Sequence, residues 1–235
     1  MKIISYSDQG PRRTSNQDNF WAASIEVSGS EGLLAAVCDG MGGLDRGGEA
    51  SRITCENIRE VALQSVDVES IKKAIHNSNS TLFNLGVQHE KRMGTTCTFL
   101  KVHQGQFTVL HIGDTRCYRI HSTGYSVLTE DHTAFEKFKR EGREVIAAAE
   151  NKLRSQLTRC LGVQRIITVD ESTGAAAPGD RFLLASDGFW HLLTEQDLRE
   201  IYADPMEDNS VLRRLVHKFI AISETDNLTA VLVEV

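Results

Sequence analysis

Five aspartates and one glycine-rich turn hold most of the chemistry open to this sequence. Asp39 heads the stretch Asp39-Gly40-Met41-Gly42-Gly43, directly after the apolar run Leu33-Leu34-Ala35-Ala36-Val37-Cys38. A buried strand thus delivers a carboxylate to a turn where the backbone can approach a ligand closely. Such a turn suits either a phosphate held by bare N–H groups or a metal ion. A carboxylate repels a phosphate unless a cation lies between them, so the stretch reads first as a metal site that can then receive a phosphate.

The other four aspartates also sit at strand ends. Asp114 ends the run Phe107 to Gly113 and Asp187 ends Phe182 to Ser186, whereas Asp18 and Asp226 stand just before the strands that begin near Phe20 and at Leu228. In antiparallel sheets the C-terminal end of one strand lies beside the N-terminal end of its neighbour, so all five can converge on one edge. That is an inference about topology. Like charges so placed repel by on the order of 1 to 4 kcal/mol per pair at about 4 Å, and only cations make the cluster tolerable. Oxygen ligands without a His or Cys cluster suit Mg²⁺ or Mn²⁺ rather than zinc. Any one of these aspartates alone is an ordinary turn former; the five together beside a glycine-rich loop are not.

Rival chemistries lack their signatures. There is no GxxxxGK[ST] loop, no HExxH and no GxSxG, and none of the cysteines is followed six residues later by Arg as a cysteine-nucleophile phosphatase loop requires. The five cysteines are odd in number and lie mostly in apolar runs, as reduced core residues of a cytoplasmic protein would. A balance of 26 Lys+Arg against 32 Asp+Glu, net −6, argues against a nucleic-acid partner. No secretory leader is visible and no apolar run reaches the roughly 18 residues of a membrane span, so a soluble protein is expected.

The elements that must position these residues follow from periodicity. Strands are expected over 2–7, 20–27, 33–38, 95–102, 107–112, 117–121, 125–128, 166–169, 181–185 and 228–235. Helices are expected over about 49–64, over 68–85, and around Leu212, Leu215, Val216 and Phe219. Gly105 and Gly124 fall at hairpin spacing, which makes the middle of the sheet antiparallel. The charged stretch 133–155 suits an exposed helical flap. No linker, repeat or low-complexity segment interrupts residues 1–235, so a single α+β domain is expected.

At this point the residues resemble the metal-dependent serine/threonine protein phosphatases of type 2C, in the compact bacterial form. The matching motifs run in order along nearly the whole chain: Gly10, Arg13 and Asn16-Gln17-Asp18; Asp39 to Gly43 with Gly47 to Ser51; Gly94-Thr95-Thr96; Gly113-Asp114-Thr115-Arg116; Thr129-Glu130-Asp131-His132; Leu157 to Gly162; Ser186-Asp187-Gly188; and Asp226-Asn227-Leu228-Thr229. The resemblance implies a four-layer α-β-β-α sandwich of two antiparallel sheets flanked by helices. It also implies that Asp39 bridges two Mn²⁺ or Mg²⁺ ions with help from the Gly40 carbonyl. Asp187 and Asp226 would complete the first ion, Asp18 would serve the second, and Asp114 with Asp187 would hold a third, weaker one. Arg13 would grip the substrate phosphate, and a water activated by the ions would attack phosphorus without a protein nucleophile.

Two departures stand out. Animal members often carry His directly after the Asp-Gly, a proposed acid for the leaving group, but here Met41 occupies that place. Many members have Glu where this chain has Gln17, which leaves the ligand role to Asp18 alone. Leu44 also stands where bacterial members often have His, with no mechanism attached. His111 reads as a satisfied core histidine, Asp131-His132 as a brace at the flap base, Arg116 as a partner of a carboxylate near the site, and Trp21 and Trp190 as core or rim aromatics.

The resemblance implies a cytoplasmic monomer that acts on phosphorylated proteins and opposes a Ser/Thr kinase, with no nucleic acid and no membrane as partner. Other readings stay open. They are a phosphatase dedicated to one regulatory phosphoprotein, a catalytically inactive regulatory or scaffolding relative, and, more distantly, a glycine-loop nucleotide-binding module.

Overall fold

The structure, a computed structural model, describes residues 1–27, 29–41 and 46–235. Gly42, Gly43 and Leu44 lie outside the described residues. Among the described residues ten strands form two antiparallel sheets. The first has the order β1-β10-β9-β6-β7, with β1 (Lys2–Asp8), β6 (Arg116–His121), β7 (Gly124–Val127), β9 (Arg181–Ala185) and β10 (Leu228–Glu234). The second has the order β2-β3-β4-β5-β8, with β2 (Asn19–Val27), β3 (Ser30–Cys38), β4 (Cys97–His103), β5 (Gln106–Ile112) and β8 (Asp170–Ala175).

Period-two alternation explains why β3 carries apolar residues without a break. Leu33, Ala35 and Val37 face the other sheet, where they meet Phe182, Leu184, Val231 and Val233, while Leu34, Ala36 and Cys38 face the helices. Strand β10 alternates in the same way, with Leu228, Ala230 and Leu232 turned outward. Helices α1 (Gly47–Gln64) and α2 (Val68–Gln88) cover the second sheet through Ile58, Ile71, Ile75 and Leu82. Helices α5 (Asp187–Trp190), α6 (Glu195–Ala203) and α7 (Ser210–Ile222) cover the first, through Phe189, Ile201, Leu212 and Phe219. The result is the four-layer α-β-β-α sandwich. No helix among the described residues is long and apolar enough to cross a membrane.

Three details differ from the expectations. The strand expected at 166–169 is not one: Ile166 is 85% exposed, and the pairing falls on β8, whose residues alternate between half-buried and exposed against β5. Pairing with β5 rather than hydrophobicity makes β8 a strand. Helix α6, which the periodicity did not suggest, starts at a capping box in which Thr194 and Asp197 bond each other reciprocally. The strand expected from Thr95 starts at Cys97, and Thr95 instead bridges Gly40 and Leu161. The charged stretch folds as two short helices, α3 (Ala134–Arg140) and α4 (Ala147–Arg154), in which Ala134 alone is buried.

Leu184 is fully buried between the sheets. Leu184→Ala should lower the unfolding free energy by about 2–5 kcal/mol, whereas Ile166→Ala should change it by less than about 0.5 kcal/mol, both read from urea denaturation.

Candidate metal centre

Strand pairing brings the aspartates to one edge. Asn19 opens β2 directly opposite Cys38 at the end of β3, so Asp18 and Asp39 flank the same end of the second sheet. In the first sheet Ala230 pairs with Ala185, so the chain runs off to Asp226 on one strand and to Asp187 on the other at the corresponding end. Between them the segment Gly113-Asp114-Thr115 crosses from β5 to β6. Gly113 takes φ +117 there, and a Cβ on it would lie 2.5 Å from the Thr96 side chain. Gly40 is equally constrained, because a Cβ would meet Gly47 at 2.5 Å and the Gln17 carbonyl oxygen at 2.6 Å.

A cavity of about 280 Å³ opens at this edge, lined by Arg13, Asp39, Gly40, Met41, Asp114, Asp187 and Asp226 together with Thr96, Ser155 and Leu157. Asp18 stands behind it. Its Oδ2 accepts a hydrogen bond of 2.8 Å from Ser186 Oγ, and its buried Oδ1 has no partner among the described residues. Arg13 forms an ion pair with Asp226 at the rim. As the side chains stand, no group of three among the described residues closes tightly enough to enclose an ion. The site residues anticipated from sequence are therefore all at this edge, six of them on the cavity and Asp18 beneath it.

The donor set fits a hard divalent cation. It is oxygen throughout, five carboxylates with the Gly40 carbonyl, and an orphaned buried oxygen such as Asp18 Oδ1 is costly until a cation or a proton satisfies it. Residues that hold the set in place were not assigned this role from sequence. Asp39 N–H donates to Thr96 Oγ1 at 2.9 Å, and Thr95 Oγ1 donates to the Asp39 carbonyl at 2.7 Å. The Asn227 amide accepts from Gln17 N–H at 2.9 Å and donates to the carbonyls of Gln9 and Ser15 at 2.7 and 3.1 Å, which pins the loop that carries Arg13. Asn directly after Asp226 was the available signal. Ser155 gave none, since its place on the cavity wall arises only from tertiary contacts.

The braces around Asp114 are explicit. Trp190 Nε1 donates to the Asp114 carbonyl at 2.9 Å, and the Arg116 guanidinium lies 3.4 Å from the centre of a Trp190 ring while donating to Asp131 through Nε and Nη2 at 2.9 and 2.7 Å. His132 Nδ1 accepts from Gly113 N–H at 3.0 Å, and its Nε2 bonds Asp170 at 2.9 Å. His111 is buried with both ring nitrogens engaged, by Thr98 at 2.8 Å and the Glu130 carbonyl at 3.1 Å. Burial and then His132 push its pKa down to about 3, so it stays neutral.

Comparison with known proteins places the chain in a family and matches its fold. The family model described as "Protein phosphatase 2C" matches residues 11–235. The chain is 27% identical to the protein phosphatase PhpP of Streptococcus pneumoniae, over 99% of this chain and 97% of that one. Among solved structures it resembles the PPM Ser-Thr phosphatase MsPP of Mycobacterium smegmatis in complex with cacodylate, at TM-score 0.83 and 30% identity over 100% of this chain and 98% of that one. The same fold recurs in the catalytic domain of the serine/threonine protein phosphatase PstP in complex with 2 manganese ions, at TM-score 0.83 and 24% identity, with 99% of this chain and 97% of that chain covered.

Burial and mutual repulsion make the cluster resist ionisation. Burial first, then the neighbouring carboxylates, hold Asp39 and Asp114 well above the ordinary aspartate value and raise Asp187 as well. Asp18 is raised to about 7, with burial again the largest cause. A raised carboxyl pKa means that the folded state binds more protons than the unfolded state, so the metal-free protein loses stability as pH climbs from about 4 through about 7. Asp170 works the opposite way. Burial alone would raise it, but hydrogen bonds from Arg159 and His132 bring it down to about 2, so its effect falls below that window. In EDTA the melting temperature should therefore drop between about pH 5 and about pH 8, and the gain on adding Mn²⁺ should be larger at the higher pH. Thermal scans at both values check this, and an equal Mn²⁺ gain at both would contradict it.

Proposed function

The chain belongs to the protein phosphatase 2C family and is a serine/threonine protein phosphatase, and on that premise we propose that it hydrolyses phosphoserine and phosphothreonine with Mn²⁺ or Mg²⁺ held by Asp18, Asp39, Gly40, Asp114, Asp187 and Asp226. One observation carries the reading: four carboxylates and Arg13 open on one cavity, with the unpartnered Asp18 oxygen directly behind. When bound there, divalent ions supply Lewis-acid activation of water and neutralise charge on the phosphoryl oxygens.

The remaining roles belong to the chain itself. Asp39, on the strand that enters the cavity from the second sheet, is the ligand a pair of ions would share, and Asp114 with Asp187 would take a third. Arg13 offers a planar fork that suits a phosphoryl group; in this structure it rests on Asp226, and an incoming phosphate would compete for it. Among the described residues the cavity lining holds no cysteine or histidine nucleophile, which supports water as the attacking group. Met41 carries no proton to give, so protonation of the leaving alkoxide falls to water or to a group outside the Asp-Gly turn.

As a cytoplasmic monomer the enzyme would oppose a Ser/Thr kinase by acting on its phosphoprotein products. The inactive-scaffold reading is disfavoured because the carboxylate set is complete. In a phosphothreonine-peptide assay, turnover should require Mn²⁺, stop with EDTA, and collapse in Asp226→Asn; absence of metal-dependent phosphate release would favour the scaffold. Asp39→Asn should cost several kcal/mol of transition-state stabilisation, roughly a thousandfold in rate. The same variant should melt at or above the wild-type temperature in EDTA, since one of the crowded charges is gone. Undiminished Mn²⁺-dependent turnover in Asp39→Asn would overturn the bridging assignment.

A further inference from the structure

A groove leaves the carboxylate cavity along the outer face of the first sheet. It starts where Arg116 and Trp190 stand beside Asp114, and it opens into a cavity of about 450 Å³ between α4 and the β6–β7 hairpin. It continues into a cavity of about 270 Å³ between β7 and α6, and Tyr125, Glu195 and Leu198 line both. Arg154 lines the groove and the next residue, Ser155, lines the carboxylate cavity, so the two spaces adjoin along α4 as well.

The charged groups along the groove already have partners. Arg116 is bonded to Asp131, Arg154 to Glu150 at 2.8 Å, and Glu195 to Arg199 at 2.8 Å, while His191 stacks on Trp190 with ring centres 4.5 Å apart. The exposed groups beside them are Tyr125 and Val127. Tyr125 and Val127 are 44% and 42% exposed and both line the groove, so that with Tyr118, whose ring centre is 6.4 Å from that of Tyr125, they make one contiguous partly exposed patch of the kind that marks an interaction site. They sit at alternate positions of β7 and so share one face. Because β7 is the last strand of its sheet, its outer backbone edge is unpaired among the described residues and can take the N–H and C=O groups of an extended chain.

We propose that this groove holds, in extended form, the polypeptide that flanks the phosphorylated residue of the substrate, and that an aromatic or aliphatic substrate side chain seats against Tyr125 and Val127. The proposal rests on the phosphatase reading above and deepens it into a sequence preference. Val127 pairs with Tyr118, two residues along β6 from Arg116, which in turn follows Asp114 of the carboxylate cavity by two residues. At about 3.3 Å per residue of extended chain, the preferred side chain lies roughly two to four residues from the phosphoresidue.

The test uses the full chain with Mn²⁺ and two kinds of probe. One is p-nitrophenyl phosphate, which has no flanking chain; the other is a set of phosphothreonine peptides in an alanine background with Phe moved through successive positions. The proposal expects one position, a few residues from the phosphothreonine, at which Phe raises kcat/KM about tenfold. Tyr125→Ser combined with Val127→Ser should erase that gain while leaving p-nitrophenyl phosphate turnover unchanged, and Tyr125→Phe should keep it. Should the double variant also lose turnover of the small substrate, Val127→Glu at its exposed position gives the same reading with less risk to folding. A flat positional scan, or a preference that survives these substitutions, overturns the groove assignment while the phosphatase reading stands. Failure of the wild-type protein to hydrolyse either probe overturns both.

Discussion

Like charges that share a buried edge repel by kilocalories, and burial makes matters worse by stripping water from each carboxylate. Asp18, Asp39, Asp114 and Asp187 all bear that cost, and each is pushed toward protonation by burial first and by its neighbours second. Left alone, such a cluster would open outward or pick up protons. What prevents the first outcome is that Asp39, Asp114 and Asp187 sit one or two residues beyond strands whose side chains are buried between the sheets and the helices, while Ser186 holds Asp18. What answers the second is a cation, for which the unpartnered Asp18 oxygen leaves a place.

The surroundings of the cluster make sense as supports for that arrangement. Hydroxyls of Thr95 and Thr96 fix the backbone of Asp39 from the neighbouring strand. Ser186 ties Asp18, on the second sheet, to the strand end that carries Asp187 on the first. Trp190, capped by the Arg116–Asp131 pair, holds the carbonyl of Asp114. His132 reaches Gly113 on one side and Asp170 on the other, so the base of the α3–α4 flap and the Asp114 turn move as one piece. The flap then contributes Ser155 and Leu157 to the cavity wall and Arg154 to the groove beyond it. Chemistry and substrate contact are thereby joined through a few hydrogen bonds around Asp114.

Much of this was legible in the residues themselves. Strands such as β3, β9 and β10 are apolar on both faces because both faces are covered, and an aspartate just outside such a run marks a strand end without ambiguity. Other parts were not legible, for physical reasons. Strand β8 is made of Asp170, Glu171, Ser172, Thr173, Gly174 and Ala175, which no hydrophobic pattern would select; it exists because β5 offers it a row of hydrogen bonds. Helix α6 buries little more than Leu198 and Ile201 beyond its capping box, too thin a stripe to stand out. Asp18 sits behind the cavity because of one hydroxyl from Ser186, and Arg13 rests on a carboxylate 213 residues away. Sequence periodicity carries no information about contacts of that kind.

Everything in this arrangement depends on the carboxylate edge being a cation site organised by Asp39. Titration of the metal-free protein with Mn²⁺, followed by calorimetry at neutral pH in the wild type and in Asp39→Asn, asks that without reference to any substrate. The account expects the wild type to take up more than one Mn²⁺ per chain and Asp39→Asn to lose the tight uptake. A wild type that binds no Mn²⁺, or a variant that binds it as the wild type does, would contradict it.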